Sequence, residues 1–369
     1  MSGTSVDGVD AVACAFEGDR FEAAVGHTFV AFPDELRNRL VALQQSPDAP
    51  LTLRELASLD QAVAQVYLEA LKPLHSQWPL QGIGMHGQTL FHDPDGLATS
   101  LQIGNPHVLA SRFDCPVVAD FRRADMAEGG QGAPLAPAFH RALWHQAGHT
   151  VCVVNLGGIA NITVLHADGT VSGHDLGPAN ALMDAWCQQH CGTPFDRDGA
   201  WAASGRIDTA LFDALAADPW FAQPPPRSTG RGQFNLHWMK RRAPPERQLP
   251  PETVQRTLLE LTAWLVAEAV QPHAGPLLLC GGGAHNQLLC QRIAERLPGH
   301  SVEDTGRHGV SPQWVEAAAF AWLAQARLTY RAEGKRDGVA AYVAKCESVY
   351  VKSAGDWLLT CHKQVPLER

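Results

Sequence analysis

Val151-Cys152-Val153-Val154-Asn155-Leu156-Gly157-Gly158-Ile159-Ala160-Asn161 is the stretch that decides the fold. A compact apolar run has the composition of a buried strand, a polar residue and two glycines interrupt it, and residues 159–165 resume it. Ala167-Asp168-Gly169 then supplies a turn, so the segment reads as a meander of strands with a glycine hinge inside it. Residues 179–190 follow as a helix stopped by Gly192 at the usual left-handed cap. Further on, 254–270 predicts a strong helix with Leu258, Leu261, Leu265 and Val266 on one side. Residues 277–280 read as a buried strand entering Gly281-Gly282-Gly283, and Pro312 fits the first turn of a helix that carries Glu316 and Phe320. Upstream, Thr52-Leu53-Arg54-Glu55 is a capping box ahead of a stripe formed by Leu56, Leu59, Val63, Tyr67 and Leu71. Residues 81–86 and 116–119 read as short strands and 134–146 as a helix. Strands alternating with helices predict an α/β architecture.

The chain has 369 residues, which suits two domains, or three. Its hydrophobic share of 45% and charged share of 18% exclude a disordered chain. Lys plus Arg number 29 against 38 for Asp plus Glu, a net charge of -9 with no basic block, which argues against a nucleic-acid partner. No apolar run is long enough to span a membrane, and the N-terminus shows neither the basic start nor the apolar stretch of a signal peptide. Nine cysteines without framework spacing fit reduced thiols in a cytoplasmic protein. Paired Cys-x-x-Cys motifs, a Gly-x-Ser-x-Gly elbow and a His-Glu-x-x-His helix are all missing from the sequence, so neither a structural zinc site nor those hydrolase sites are expected. Gln223-Pro224-Pro225-Pro226-Arg227 reads as a stiff extended loop, and residues 242–251 as a proline- and charge-rich one.

Several constellations can carry chemistry. Gly3-Thr4-Ser5-Val6-Asp7-Gly8-Val9-Asp10 offers outward backbone amides and two hydroxyls, a concavity that suits a phosphate, with Asp7 or Asp10 able to hold Mg²⁺; a plain polar turn is the alternative. Asn155-Leu156-Gly157-Gly158 stands in a similar strand context about 150 residues later, which suggests an internal duplication. Gly281-Gly282-Gly283 lets a ligand approach the backbone and a helix N-terminus. Asp175, between a strand and a helix start, is either a helix cap or a general base. His86, Gln88, Asp120, Arg122 and the segment Gly129-Gly130-Gln131-Gly132-Ala133-Pro134-Leu135 sit at or near strand ends, where open α/β sheets bind ligands. His86 reads equally as a satisfied structural histidine, and Arg122 as half of an ion pair with Asp120.

The opening Met1 to Asp10 signature resembles that of the anhydro-N-acetylmuramic acid kinases. The likeness continues in order through His86-Gly87-Gln88-Thr89, Asp120-Phe121-Arg122, the 129–135 segment, Asn155 to Asn161, Asp175 and Asp198-Gly199. It runs on through Ser228-Thr229-Gly230-Arg231, Phe234-Asn235, Gly281-Gly282-Gly283-Ala284-His285-Asn286 and Val315-Glu316-Ala317-Ala318-Ala319-Phe320, covering roughly residues 1–328. The resemblance implies two ribonuclease-H-like halves with an interdomain ATP cleft, the actin-like ATPase fold. It implies a first half over 1–125, a second over 126–330 and a tail of unassigned structure over 331–369. Gly3, Thr4, Ser5, Val6, Asp7, Gly8, Val9, Asp10, Asn155, Gly157, Gly158, Gly281, Gly282 and Gly283 would then bind ATP. Asp175 would be the catalytic base, and His86, Gln88, Asp120, Arg122 and Glu316 would line the sugar side. The implied reaction converts 1,6-anhydro-N-acetylmuramic acid, ATP and water into N-acetylmuramic acid 6-phosphate and ADP in cell-wall recycling, with Mg²⁺ as cofactor. A kinase for another sugar or carboxylate and a catalytically dead ATP or sugar sensor are the alternatives, and a homodimer is left open. The sequence departs from the family at Leu176, where a Thr or Ser hydroxyl is usual, and at Ala179, where Gly is usual. A short apolar strand usually precedes the signature, so an apolar segment ahead of Met1 is expected to steady the first loop. The family's closing segment is not recognisable in residues 331–369.

Overall fold

The structure, a computed structural model, describes residues 1–333 apart from 4, 19, 47, 95, 226, 231 and 244–247, together with a hairpin of two short strands, Tyr350–Ser353 and Asp356–Leu359. The chain forms two compact units: Met1–Leu135 with Glu316–Arg369, and Ala136–Val315. These bounds differ from the expected 1–125, 126–330 and 331–369. Residues 126–135 stay with the first unit because Asp125 and Arg122 bond the backbone of Gly132. The helix from Glu316 onward returns to the first unit because it lies against a strand there, as the glycine contacts below show.

In the first unit β1 (Gly8–Glu17) and β2 (Arg20–Ala31) form an antiparallel hairpin. β3 (Ile83–Met85) pairs in parallel with β6 (Val117–Ala119), while β4 (Gln88–Asp93) and β5 (Thr99–Ile103) pair antiparallel. The helix Leu53–Gln77 closes the core with Leu59, Val63, Tyr67 and Leu71 of the expected stripe, joined by Leu74, while Leu56 is only partly buried against it. Thr52 Oγ1 accepts from Glu55 N at 3.1 Å, as a capping threonine should. Gly82 and Gly84 flank the start of β3 because no side chain fits there: a Cβ would meet Leu328 at the first and the carbonyl of Phe320 at the second.

In the second unit β7 (Val151–Leu156), β8 (Ile159–Leu165) and β9 (Val171–Pro178) form the expected meander. β10 (Leu277–Cys280) and β11 (Val302–Asp304) add in parallel, giving the order β11-β10-β7-β8-β9. Three antiparallel strands followed by two parallel ones is the ribonuclease-H-like plan. The helix Asn180–Cys191 ends at Gly192 with φ 67°, the left-handed stop its sequence announces. The helix Pro251–Val270 is buried on nearly every side, so the one-sided stripe was too narrow a reading. Even Glu260 is inside, where its carboxylate accepts from Arg292 and Arg296 at 2.8 and 2.7 Å. The seven described cysteines are free thiols, and no helix among the described residues is long and apolar enough to cross a membrane.

Candidate active site

Strand pairing in the second unit sets four residues in one row. Cys280 of β10 stands opposite Asn155 of β7, Asn155 opposite Asn161 of β8, and Asn161 opposite Asp175 of β9. At ~4.8 Å between strands, Asp175 lies about 10 Å from Asn155 along the sheet. Alternate residues point the other way: Val154, Leu156, Ile162 and Leu176 enter the main core of this unit. The register shifts at Asn161, leaving Leu176 as an extra residue ahead of Gly177, whose φ is 138°. Such a bulge re-aims the side chains beside it.

Asp175 is half-buried, and its Oδ2 accepts from Thr229 N at 2.8 Å. Burial pushes its carboxyl up to about 6, against the lowering effects of the Thr229 N–H and of the Arg227 charge. The helix-cap alternative falls away. Asp175 lies inside β9, and the N-cap of the helix Asn180–Cys191 is Ala179, with no side-chain cap bond. Leu176 removes no hydroxyl from the Asp175 side of the sheet, because its side chain is fully buried in the core on the opposite face.

The two glycine loops of this unit touch. Gly281 has φ 80°, and a Cβ there would collide with Asn155 Oδ1; a Cβ on Gly283 would sit 2.7 Å from Leu156 Cβ. At Gly282 the nearest atom, Asn180 Nδ2, is 3.8 Å away, so that glycine faces open space. Asn180 secures the other loop, its N donating to Gly157 O at 3.0 Å and its Nδ2 to Leu156 O at 2.8 Å. Gly158 O accepts from Ala179 N at 3.1 Å. Asn286 caps the helix Gln287–Arg296 behind the triple glycine, its Oδ1 accepting from Leu289 N at 3.0 Å.

The first unit holds the other expected residues. Met1 and Asp10 exchange backbone hydrogen bonds of 2.6 and 2.9 Å, which lays the start of the first loop beside β1 as β7 lies beside β8. Val6 is a branched residue at φ 53°, a strained setting held by a 3.3 Å bond from its N to Gly3 O. Val6, Gly8 and Val9 face the core, while Asp7 is exposed, its Oδ1 accepting from Ser5 Oγ at 2.6 Å. Asp10 pairs with His27 at 2.9 Å. Thr4 and Arg231 lie outside the described residues, as does most of 331–369.

Gln88 is fully buried, donating to Gly3 O at 3.3 Å and to Thr89 O at 3.2 Å and accepting from the Ser2 hydroxyl, so as placed it holds the first loop. His86 is buried, with Nδ1 2.7 Å from Gly87 O, while its Nε2 accepts from Arg122 Nε at 2.8 Å. Burial and the Arg122 charge keep this ring well below the usual imidazole range, hence neutral and fixed as the Nδ1–H tautomer. It is a satisfied histidine whose partner is the guanidinium. Arg122 also donates from Nη1 to Gly132 O at 2.7 Å; among the described residues its Nη2 has no acceptor. Asp120, at φ 62°, pairs at 2.7 Å with Arg123, not with Arg122. Glu316 keeps solvent access, yet desolvation by surrounding protein raises its carboxyl against the pull of Arg122.

Three residues that sequence reasoning left without a role belong to this site: Asn161, Arg227 and Thr229. Asn161 was visible within a motif. The contribution of Thr229 is a backbone N–H, which no residue type announces.

Glycine loops at the ends of parallel and antiparallel strands, with a carboxylate of raised proton affinity in the same row, are an α/β arrangement suited to phosphoryl transfer. A family model described as anhydro-N-acetylmuramic acid kinase matches residues 1–340. The anhydro-N-acetylmuramic acid kinase of Xanthomonas axonopodis pv. citri (strain 306) is 48% identical over 344 residues, 90% of this chain and 91% of that one. Those of Vibrio cholerae serotype O1 and Pseudomonas putida are 44% and 45% identical over 338 residues, each 89% of this chain and 90% and 91% of their own. A ROK family glucokinase from Streptomyces griseus, solved in complex with glucose and AMPPNP, is similar at TM-score 0.37 and 12% identity over 86% of this chain and 99% of that one, too slight a likeness to argue from. The chain belongs to the anhydro-N-acetylmuramic acid kinase family.

Proposed function

We infer that the protein opens the internal bridge of 1,6-anhydro-N-acetylmuramic acid with water and transfers the γ-phosphoryl group of ATP to the released O6. The observation that carries the reading is the row Cys280, Asn155, Asn161, Asp175, which puts a carboxylate of raised proton affinity on the same edge as two touching glycine loops. A base whose pKa is about 6 is ionised at neutral pH and still basic enough to take a proton from water at Oδ1 or Oδ2. Asn155, Gly157, Gly158 and Gly281, Gly282, Gly283 would offer the backbone surface for the nucleotide, as Gly3 and Ser5 would in the first unit. Among the described residues no group of three or more His, Cys, Asp or Glu could hold a metal. Mg²⁺ keeps its waters and is bound by one or two carboxylates plus phosphates; exposed Asp7, or Asp10, would hold it. The ion would neutralise charge on the transferring group. On the sugar side, Arg122 Nη2 suits a carboxylate, with His86 holding the guanidinium in place.

The test is the coupled reaction in ¹⁸O water. Label is expected on C1 of the sugar product and none on its phosphate, with one ADP per sugar. An unlabelled sugar, or a product with its bridge intact, would reduce the protein to an ordinary sugar kinase.

A further inference from the structure

We propose that Arg227 is the positioning residue of this reaction: its side chain and its own carbonyl clamp the backbone of Asp175, so that Thr229, two residues on, delivers an N–H to the carboxylate. The proposal rests on the reading of Asp175 as the base. β9 is an edge strand of its sheet, and it carries a bulge at the base itself. An edge strand next to a bulge has no neighbour to fix it on one side. The segment after the prolines supplies that neighbour for a single residue. Asp175 N donates to Arg227 O at 3.0 Å, and Arg227 Nε donates back to Asp175 O at 3.2 Å.

The rest of the guanidinium fixes the clamp to its own loop. Nη1 donates to Phe221 O at 2.7 Å and to Gln223 O at 2.8 Å, and the plane lies over the Trp220 ring at 4.7 Å. Three carbonyls and one aromatic face are thus met by one planar fork, a geometry that a lysine cannot reproduce. Pro224 and Pro225 stiffen the loop, so little freedom is lost when it closes. Thr229 adds a second tie through its hydroxyl, 2.8 Å from Gln233 Oε1, and sets its N–H against Asp175 Oδ2. The proline-rich stretch, a mere stiff loop in the sequence, is the strut of the base. The groups that face this carboxylate are the Arg227 cation and the Thr229 N–H, with neutral Asn161 opposite on β8. His174, next on β9, feels Arg227 and His273.

The experiment titrates the Asp175 carboxyl directly, by NMR of full-length protein labelled at aspartate carboxyl carbons and assigned with Asp175→Asn, alongside kcat and KM against pH. In Arg227→Gln the cation is lost, so the carboxyl is expected to titrate above its wild-type value of about 6, with the acid limb of kcat moving up beside it. At neutral pH kcat should fall about tenfold to a hundredfold while KM for ATP stays put. Arg227→Lys should bring the titration back toward wild type but leave kcat depressed, because charge returns without the fork. A glutamine variant whose titration and acid limb coincide with wild type would make Arg227 a loop brace only. Should the glutamine variant not fold, Arg227→Lys decides, and a wild-type kcat there overturns the proposal. Asp175→Asn retaining more than about a tenth of kcat would sink the base reading instead, while the titration still reports the Arg227 clamp.

Discussion

Asp175 shows what a half-buried carboxylate of raised proton affinity costs its own fold. Its carboxyl is raised to about 6, above the ordinary aspartate value of 3.8, so the folded protein binds the proton more tightly than the unfolded chain. Stability from this group is therefore full below about pH 4 and is lost as pH rises toward and past 6. Asp175→Asn is expected to cut kcat at least ~100-fold, leave ATP binding largely intact, and melt higher than wild type at pH 8. The gain should be on the order of 2 kcal/mol at most, since the side chain is part-exposed, and should vanish below pH 4. A variant melting lower than wild type at pH 8 would contradict the desolvation argument. In the sugar-side role proposed for Arg122, Arg122→Met removes a half-buried guanidinium whose Nη2 has no acceptor among the described residues. A charged hydrogen bond of ~1.5–3 kcal/mol predicts a sugar KM raised about 10- to 100-fold with KM for ATP unchanged. Steady-state kinetics with each substrate varied in turn will show whether the two constants separate.

Elements explain which glycines matter. The triple glycine looks uniform in sequence, yet β10 and β7 press Gly281 and Gly283 against Asn155 and Leu156 while Gly282 stands clear. Gly281→Ala and Gly283→Ala should each lower the melting temperature and weaken nucleotide binding, Gly281 more, because its φ of 80° adds strain to the collision. Gly282→Ala should melt like wild type, and any loss of ATP affinity there would come from the ligand's own need for space. Calorimetry with and without nucleotide across the three variants reads both quantities. Equal loss of stability at all three positions would mean that the loops do not touch as described.

At the scale of the whole molecule, the two units are unequal in their chain connectivity. Ala136–Val315 is one uninterrupted segment that contains its entire core, from Cys152 to Leu297. Met1–Leu135 shares its unit with the helix from Glu316, whose Phe320 and Ala324 cover Gly84 of β3. Residues 136–315 expressed alone are therefore expected to fold with a cooperative melt, and residues 1–135 alone to lack one. Circular dichroism melts of the two fragments make the comparison, and a cooperative transition in 1–135 would show that the returning helix is dispensable.

The sequence by itself determined the α/β class, the first two strands of the meander over 151–165 with the turn at 167–169, the strand 277–280, the helix stop at Gly192 and the capping threonine Thr52, because each depends on local periodicity or on one residue's backbone preference. The order of motifs also carried the family, and with it Asp175 as the residue to watch. Tertiary structure decided the remainder. Whether Asp175 caps a helix or stands in a sheet row, and whether Leu176 faces the Asp175 side of the sheet or the core, turn on strand register, which long-range pairing fixes and neighbours in sequence do not. The return of the Glu316 helix to the first unit rests on contacts more than 230 residues apart in the chain, between Gly84 and Phe320. The hold on Asp175 comes from an N–H of Thr229 and a carbonyl of Arg227, backbone groups that every residue but proline carries alike, so only their placement in space gives them meaning.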